Sequence, residues 1–348
     1  MRQPVLLLDA VESVGTQVVH ALSLAGGYRV TALVLQRENA VRHSWRCRPL
    51  LRDDWRWAAG PAQLDGVDLP AGTVLLPVSV DAMTWTVRHR AALAARWRLP
   101  LLPPAGSLCT ARDKGTLADF AAAHGVAVPP AATPRLDDDD ALTGGLPYPV
   151  VLKPRRAGGG DGIARYDAPA PLRARLQRLR DPSAYQVQPW LAGDDINCGL
   201  LCERGRVLAA VVFRGLTRES AFTPFRSIQF VDDAEALATA SRLLAALDWS
   251  GLANVDMRRD AGGRVYVLEV NPRAWGNLRG AVAAGLNFPD LWCRTALGAV
   301  APQPAPHGAR YFSTVDALAL LRDRLRGATR APLPSWRETG LRFVCRDP

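Results

Sequence analysis

The sequence predicts an α/β protein whose C-terminal part turns α+β. Three observations carry this. Short apolar runs alternate with helical patterns through about the first 100 residues, as repeated strand–helix units do. From Tyr185 to Asn271 strand patterns follow one another with a single helical stretch between them. At 348 residues the chain is long enough for two or three modules sharing a sizeable core.

In chain order, Val5–Asp9 reads as a buried strand, Val14–Leu24 as a helix and Tyr28–Leu35, after the Gly26-Gly27 stop, as a second strand. Thr73–Pro77 is a further short strand, and His89–Trp97 reads as a helix before Leu99–Leu102. The first turn, Asp9-Ala-Val-Glu-Ser-Val-Gly15, holds one glycine where a dinucleotide fingerprint requires three, so this region is expected to be a structural α/β unit without a nucleotide. A second region begins near Ser107. Its helical pattern over Ala111–His124 stops at Gly125 and is broken by Pro129-Pro130. Asp137–Asp140 reads as a solvated turn or helix start, Tyr148–Pro154 as a strand and Leu172–Arg180 as a helix. Pro302–Pro306 reads as a Pro-rich linker and Ser313–Leu325 as a helix; no internal repeat is visible.

Composition narrows the partners. Lys plus Arg exceed Asp plus Glu by 43 − 33 = 10, but the arginines are scattered through helical patterns and no nucleic-acid-binding signature occurs. No nucleic acid is therefore expected. The six cysteines are spread without a Cys-x-x-Cys pair, and Cys198 and Cys202 lie too far apart along a strand to bridge. Structural zinc is not expected, and reduced thiols in the cytoplasm are. The N-terminal apolar run soon meets Asp9 and Glu12, unlike a signal peptide, and no stretch of about 18 apolar residues suggests a membrane span.

Two segments carry chemistry. Lys153-Pro-Arg-Arg-Ala-Gly158-Gly159-Gly160-Asp161-Gly162 delivers a lysine from a strand into glycines whose backbone N–H groups are free to line a polyphosphate. The Walker pattern is absent. Further on, Asn254-Val-Asp256 and Leu268-Glu269-Val-Asn271-Pro-Arg273 flank the turn Asp260-Ala-Gly262-Gly263 and read as a tight hairpin. Glu269, Asn271 and Arg273 alternate with apolar residues and so share a face. Such a polar row is costly to bury without a ligand. Two hard carboxylates and an amide oxygen suit Mg²⁺ held between protein and phosphates, and an adjacent arginine suits a phosphoryl group in transfer.

These strands resemble the metal-binding strands of ATP-grasp enzymes, and the carboxylate–amine ligase branch in particular, through Asn271-Pro-Arg-Ala-Trp275-Gly-Asn277 and Ala283-Ala-Gly285-Leu-Asn287. Further landmarks follow in order. Lys114, opening a helix, and Lys153 are similar to the two nucleotide lysines. Gly158, Gly159, Gly160 and Gly162 resemble the phosphate-covering loop, and Gln188-Pro189-Trp190-Leu191 resembles the hinge that reads adenine. The resemblance implies Asp195 as ribose acid, Asp256, Glu269 and Asn271 as magnesium ligands, and Lys153 and Arg273 as the groups that stabilise transfer. Arg214, Arg218, Arg273 and Trp275 are candidates for the substrate pocket, each also readable as solvated or packed. The implied fold is a Rossmann-like pre-ATP-grasp domain over residues 1–106 and a two-subdomain ATP-grasp fold. The latter divides into a lid-containing part over 107–186 and a catalytic part over 187–300, before a tail over 301–348. The implied activity uses ATP and Mg²⁺, with Mn²⁺ as a substitute, to join a small carboxylate to an amine, an amino acid or short peptide; a homodimer is compatible. A kinase, a carboxyphosphate-forming enzyme and a non-catalytic nucleotide module stay open as alternatives. Two departures stand out: Gln188-Pro189 replaces a commoner acid, and Leu216–Ser220 lacks the paired glycines usual beside the substrate.

Overall fold

The computed structural model describes residues 2–299, 302–303 and 306–347. The Pro302–Pro306 linker reading therefore lies partly outside the described residues.

The first sheet has the order β3-β2-β1-β4, built from β1 (Gln3–Leu8), β2 (Tyr28–Val34), β3 (Arg48–Leu51) and β4 (Val74–Pro77), with α1 (Glu12–Ala25) as first crossover. All its pairings are parallel, with Val5 opposite both Val30 and Val74. Its central strand is apolar without alternation because both faces are covered. Val5 and Leu7 join one core cluster, and Leu6 and Leu8 join another with Trp55, Trp85 and Trp97. β3 and the first of two helices here were not anticipated, and the helix expected over His89–Trp97 is the shorter second one. The two helices are α2 (Val80–Arg88), started by the Ser79 side chain accepting from Ala82 N, and α3 (Arg90–Ala94).

The helix expected over Ala111–His124 is divided. α4 (Ala105–Arg112) stops at Asp113, whose carboxylate accepts from Gly115 N and Thr116 N and so caps α5 (Lys114–Ala123). After α6 (Asp139–Thr143), a three-stranded antiparallel sheet forms in the order β6-β5-β7 from β5 (Val150–Pro154), β6 (Ala164–Tyr166) and β7 (Tyr185–Pro189). α7 (Pro169–Gln177) covers it, placing Leu172 and Leu176 on Val150, Leu152 and Val187.

The third sheet is antiparallel, in the order β12-β11-β8-β9-β10-β13. It comprises β8 (Gly193–Glu203), β9 (Arg206–Arg218), β10 (Phe225–Phe230), β11 (Gly251–Asp260), β12 (Val265–Asn271) and β13 (Arg310–Tyr311), with α8 (Ala234–Ala246) contributing to its core. α9 (Leu278–Ala283), α10 (Phe288–Thr295), α11 (Thr314–Leu325) and α12 (Leu341–Val344) complete the chain. Two expected boundaries cut through these units. The division after residue 186 falls inside β7, which pairs with β5 and meets Ala132 through one isolated bridge, and β13 from the expected tail adds an edge strand to the third sheet.

Candidate active site between the two antiparallel sheets

The β11–β12 hairpin forms the floor of a cleft. Its register sets Asp256 directly opposite Glu269 and Asn254 opposite Asn271. Directly opposed side chains stand about 5 Å apart, so the two carboxylates abut. Amides surround Asp256: Asn197 and Asn254 donate to one carboxylate oxygen, and Asn271 Nδ2 donates to the other at 3.2 Å. Glu269 accepts from Asn271 Nδ2 at 3.0 Å and from the Lys114 ammonium at 2.8 Å. Burial and the neighbouring Glu269 push the Asp256 carboxyl well above the usual range. Burial pushes Glu269 up as well, but the Lys114 charge together with hydrogen bonds from Asp256, Lys114 and Asn271 holds that carboxyl below its ordinary value.

Both lysines face this floor. Lys153, on β5, is buried, and its amine reaches only Leu268 O at 3.5 Å. Burial lowers its pKa from 10.5 to about 7, against the pull of Glu269. Lys114 opens α5 and also donates to Ala157 O at 2.5 Å, linking β12 to the start of the glycine loop. Gly159 and Gly160 line the cleft. Gly160 sits at φ +85, where a Cβ would fall 2.1 Å from Phe222 O, so only glycine lets the loop rest on the segment between β9 and β10. Gly158 lies near Asn271 and Arg273, and Gly162 turns back onto Pro154; neither lines the cleft. The Arg273 guanidinium is largely buried beside Asp256 and Glu269, and burial lowers its pKa.

Gln188, Pro189, Trp190 and Leu191 form one wall, anchored where Trp190 N donates to Pro149 O at 2.8 Å. Asp195 is beside them, and each of its oxygens already holds an arginine: Arg218 donates to one at 2.7 Å and Arg258 to the other. Arg258 also donates to Leu191 O and lies over the Trp190 ring at 4.6 Å. Sequence reasoning missed this arginine, and missed Asn197; the available signal was a polar side chain on each strand beside the expected metal strand positions.

The substrate candidates separate. Arg218 lines the cleft and covers the Phe225 ring at 4.6 Å. Arg214 does not line it: its guanidinium is exposed and donates to Gln229 Oε1 at 2.9 Å. The cause is an irregular register, in which Leu216 is the extra residue of β9 between the Gly215–Ile228 and Thr217–Ser227 pairs. Such a bulge reverses the faces of residues on either side. Trp275 borders the cleft but packs: it is 3% exposed, edge-on to Phe288, and a Cβ on Gly199 would fall 2.3 Å from its ring.

Asp256, Glu269 and Asn271 fit Mg²⁺. Two buried carboxylates held against one another are relieved by a divalent cation, and a set of few protein oxygens leaves positions for phosphate and water, as that ion prefers. Among the described residues no three His, Cys, Asp or Glu side chains converge.

Residues 182–316, which include this whole hairpin, match the family model described as ATP-grasp in the biosynthetic pathway with Ter operon. Over this stretch the chain is similar to ATP-grasp proteins. Among curated relatives, D-alanine–D-alanine ligase of Ectopseudomonas mendocina is 28% identical over 174 residues, 44% of this chain and 54% of that protein. The chain spans about half the length of the curated relatives it matches. Among solved structures, L-amino acid ligase from Bacillus licheniformis has a TM-score of 0.66 at 16% identity, covering 86% of this chain and 75% of that one. N5-carboxyaminoimidazole synthetase from Staphylococcus aureus has a TM-score of 0.70 at 14% identity, covering 94% and 87%. These likenesses establish the ATP-grasp fold. Among the described residues no helix is long and apolar enough to cross a membrane.

Proposed function

We propose that this ATP-grasp protein is an ATP- and Mg²⁺-dependent carboxylate–amine ligase. The observation that carries the reading is the convergence of Lys114, Lys153 and Arg273 on Asp256, Glu269 and Asn271 in one cleft beneath a glycine loop. Mg²⁺ on those three oxygen donors supplies charge neutralisation of the terminal phosphates. Gln188–Leu191 hold the adenine edge. Gly159 and Gly160 close over the phosphates and exclude water from a hydrolysable intermediate. One oxygen of the substrate carboxylate attacks the γ-phosphorus, and the β–γ bridging oxygen leaves with ADP. Lys153 and Arg273 hold the charge spread over the phosphoryl oxygens. A neutral amine then attacks the acyl carbon, loses a proton, and phosphate departs, leaving an amide.

Asp195 serves as ribose acid in this reading, accepting from the ribose hydroxyls on lone pairs that Arg218 and Arg258 leave open. Arg218, beside Phe213 and Phe225, faces the substrate end. An amino acid or short peptide is the proposed substrate class, supported by relatives named for amino-acid ligation. Mn²⁺ as a substitute, a cytoplasmic location, the lid and catalytic division and a homodimer belong to the same proposal.

The test is ADP release from ATP and Mg²⁺ with a panel of amino acids and dipeptides, hydroxylamine being present as trap and Glu269→Ala as control. Substrate-dependent ADP with a hydroxamate, both lost in the control, is the expected result. ADP accompanied by a stable phosphorylated product and no hydroxamate indicates a kinase. Absence of Mg²⁺-dependent ATP binding overturns the reading.

A further inference from the structure

A second cavity, of about 250 Å³, lies between α5 and the extended segment leading from Pro129 to Thr133. One wall is the small-residue face of α5, Gly115, Ala118 and Ala122, at the three- and four-residue spacing of one helix face. Gln186 of β7 is the polar group inside. It is 3% exposed, and neither its side-chain oxygen nor its side-chain nitrogen meets a protein partner. The backbone beside it is satisfied, since Ala132 and Val187 exchange both of their hydrogen bonds. The unmet groups are thus confined to the side chain, where a buried donor and acceptor without partners are costly to keep.

The chemistry of the site defines its ligand. A primary amide offers one donor and one acceptor along a single edge, which complements a lactam or carboxamide edge on another molecule. Arg155, at the rim, is already bonded to the Asp113 carboxylate at 2.7 Å, so no unpaired cation favours an anion. Apart from the exposed Asp119 and Thr133 and the half-buried Arg155, the walls are alanine, glycine, valine and proline, which suit a flat molecule. At about 250 Å³ the cavity exceeds the roughly 150 Å³ that accommodates a benzene ring, so a single-ring molecule fits.

The position couples this cavity to the ATP-grasp cleft. Gln186 pairs directly across the ladder with Lys153, so both side chains leave the same face of that sheet. Pro129 borders both cavities, and the α5 wall begins at Lys114. We propose that the cavity is a regulatory site for a small, flat, uncharged molecule with a lactam or carboxamide edge, held by Gln186 and read out through Lys153 and Lys114.

The test is titration of the full chain with uracil, as a free-base lactam, and with nicotinamide, as a ring carboxamide, by calorimetry or ligand-observed NMR. At least one probe saturates at millimolar concentration and shifts the ATP Kd at least twofold. Binding falls at least tenfold in Gln186→Leu and also in Ala122→Phe, which fills the slot from the exposed side of α5 and leaves Gln186 intact. It persists in Lys153→Met. Uracil binding alone assigns a nucleobase-type ligand, and nicotinamide binding alone assigns a carboxamide. The proposal is overturned if neither probe saturates, if both variants bind as wild type does, or if saturating ATP displaces the probe competitively. Probe binding that leaves the ATP Kd unchanged overturns the regulatory role. None of these readouts needs turnover, so they stand apart from the ligase assay.

Discussion

Replacing Lys153 by methionine is expected to stabilise the nucleotide-free protein while weakening its grip on ATP. The amine is buried with one distant carbonyl for company, and burial brings its pKa from 10.5 to about 7. Between those values the unfolded chain binds a proton that the folded chain does not, so stability attributable to this residue rises with pH across that window. The cost of burying the charged form is therefore full below about pH 7 and fades toward pH 10.5. A gap of that size corresponds to about 5 kcal/mol as a ceiling, at roughly 1.4 kcal/mol per pH unit. Methionine of similar length fills the same space without the charge. Denaturant unfolding at pH 6.5, 8 and 9.5 checks this: Lys153→Met gains most at pH 6.5 and least at 9.5. ATP binding by calorimetry falls roughly tenfold to a hundredfold, the worth of a charge-assisted hydrogen bond of about 1.5–3 kcal/mol. A variant less stable than wild type at pH 6.5, or a gain that does not change with pH, refutes the reasoning.

Three further outcomes follow from the same structure. Asp256→Asn removes a buried charge set against Glu269, so the nucleotide-free protein melts higher at neutral pH, with the gain appearing as pH rises past the ordinary carboxylate range near 3.8; Mg²⁺ titration of ATP binding becomes flat. Gly160→Ala drives a methyl into Phe222 O, so kcat falls about tenfold or more, by the roughly 1–3 kcal/mol of a strained backbone position, and limited proteolysis cuts the 158–163 loop faster. Asp347→Ala loses the carboxylate that accepts from Ser44, from Trp45 N at 2.7 Å and from His20 at 3.0 Å, so stability falls by about 2–3 kcal/mol in denaturant unfolding and the 341–347 segment becomes protease-sensitive.

How much of this was legible depends on the distance over which each feature is decided. The β11–β12 hairpin was readable because its turn, its alternation and its polar row are all local, and Lys153 with its glycines was readable for the same reason. The four buried strand residues Val5, Leu6, Leu7 and Leu8 announced a covered parallel sheet. β3 escaped notice because Arg48-Pro49-Leu50-Leu51 is too short to show a period, and it pairs only as an edge on β2. The break between α4 and α5 escaped because Asp113 fits a helical pattern until its carboxylate is seen capping the next helix and meeting Arg155 and Arg156. Arg214 and Arg218 were indistinguishable in sequence, since a bulge at Leu216 decides which of them enters the cleft. The double capture of Asp195 depends on strands 23 and 63 residues away, and no local pattern encodes it.

The most direct test of the central claim is oxygen transfer. With a substrate found by the ADP assay and labelled with ¹⁸O in its carboxylate, phosphorus NMR reads the phosphate released on turnover. Attack of the carboxylate on the γ-phosphorus predicts one ¹⁸O in each phosphate, with the label lost alongside activity in Glu269→Ala. Turnover that releases unlabelled phosphate contradicts an acyl phosphate and with it the ligase account.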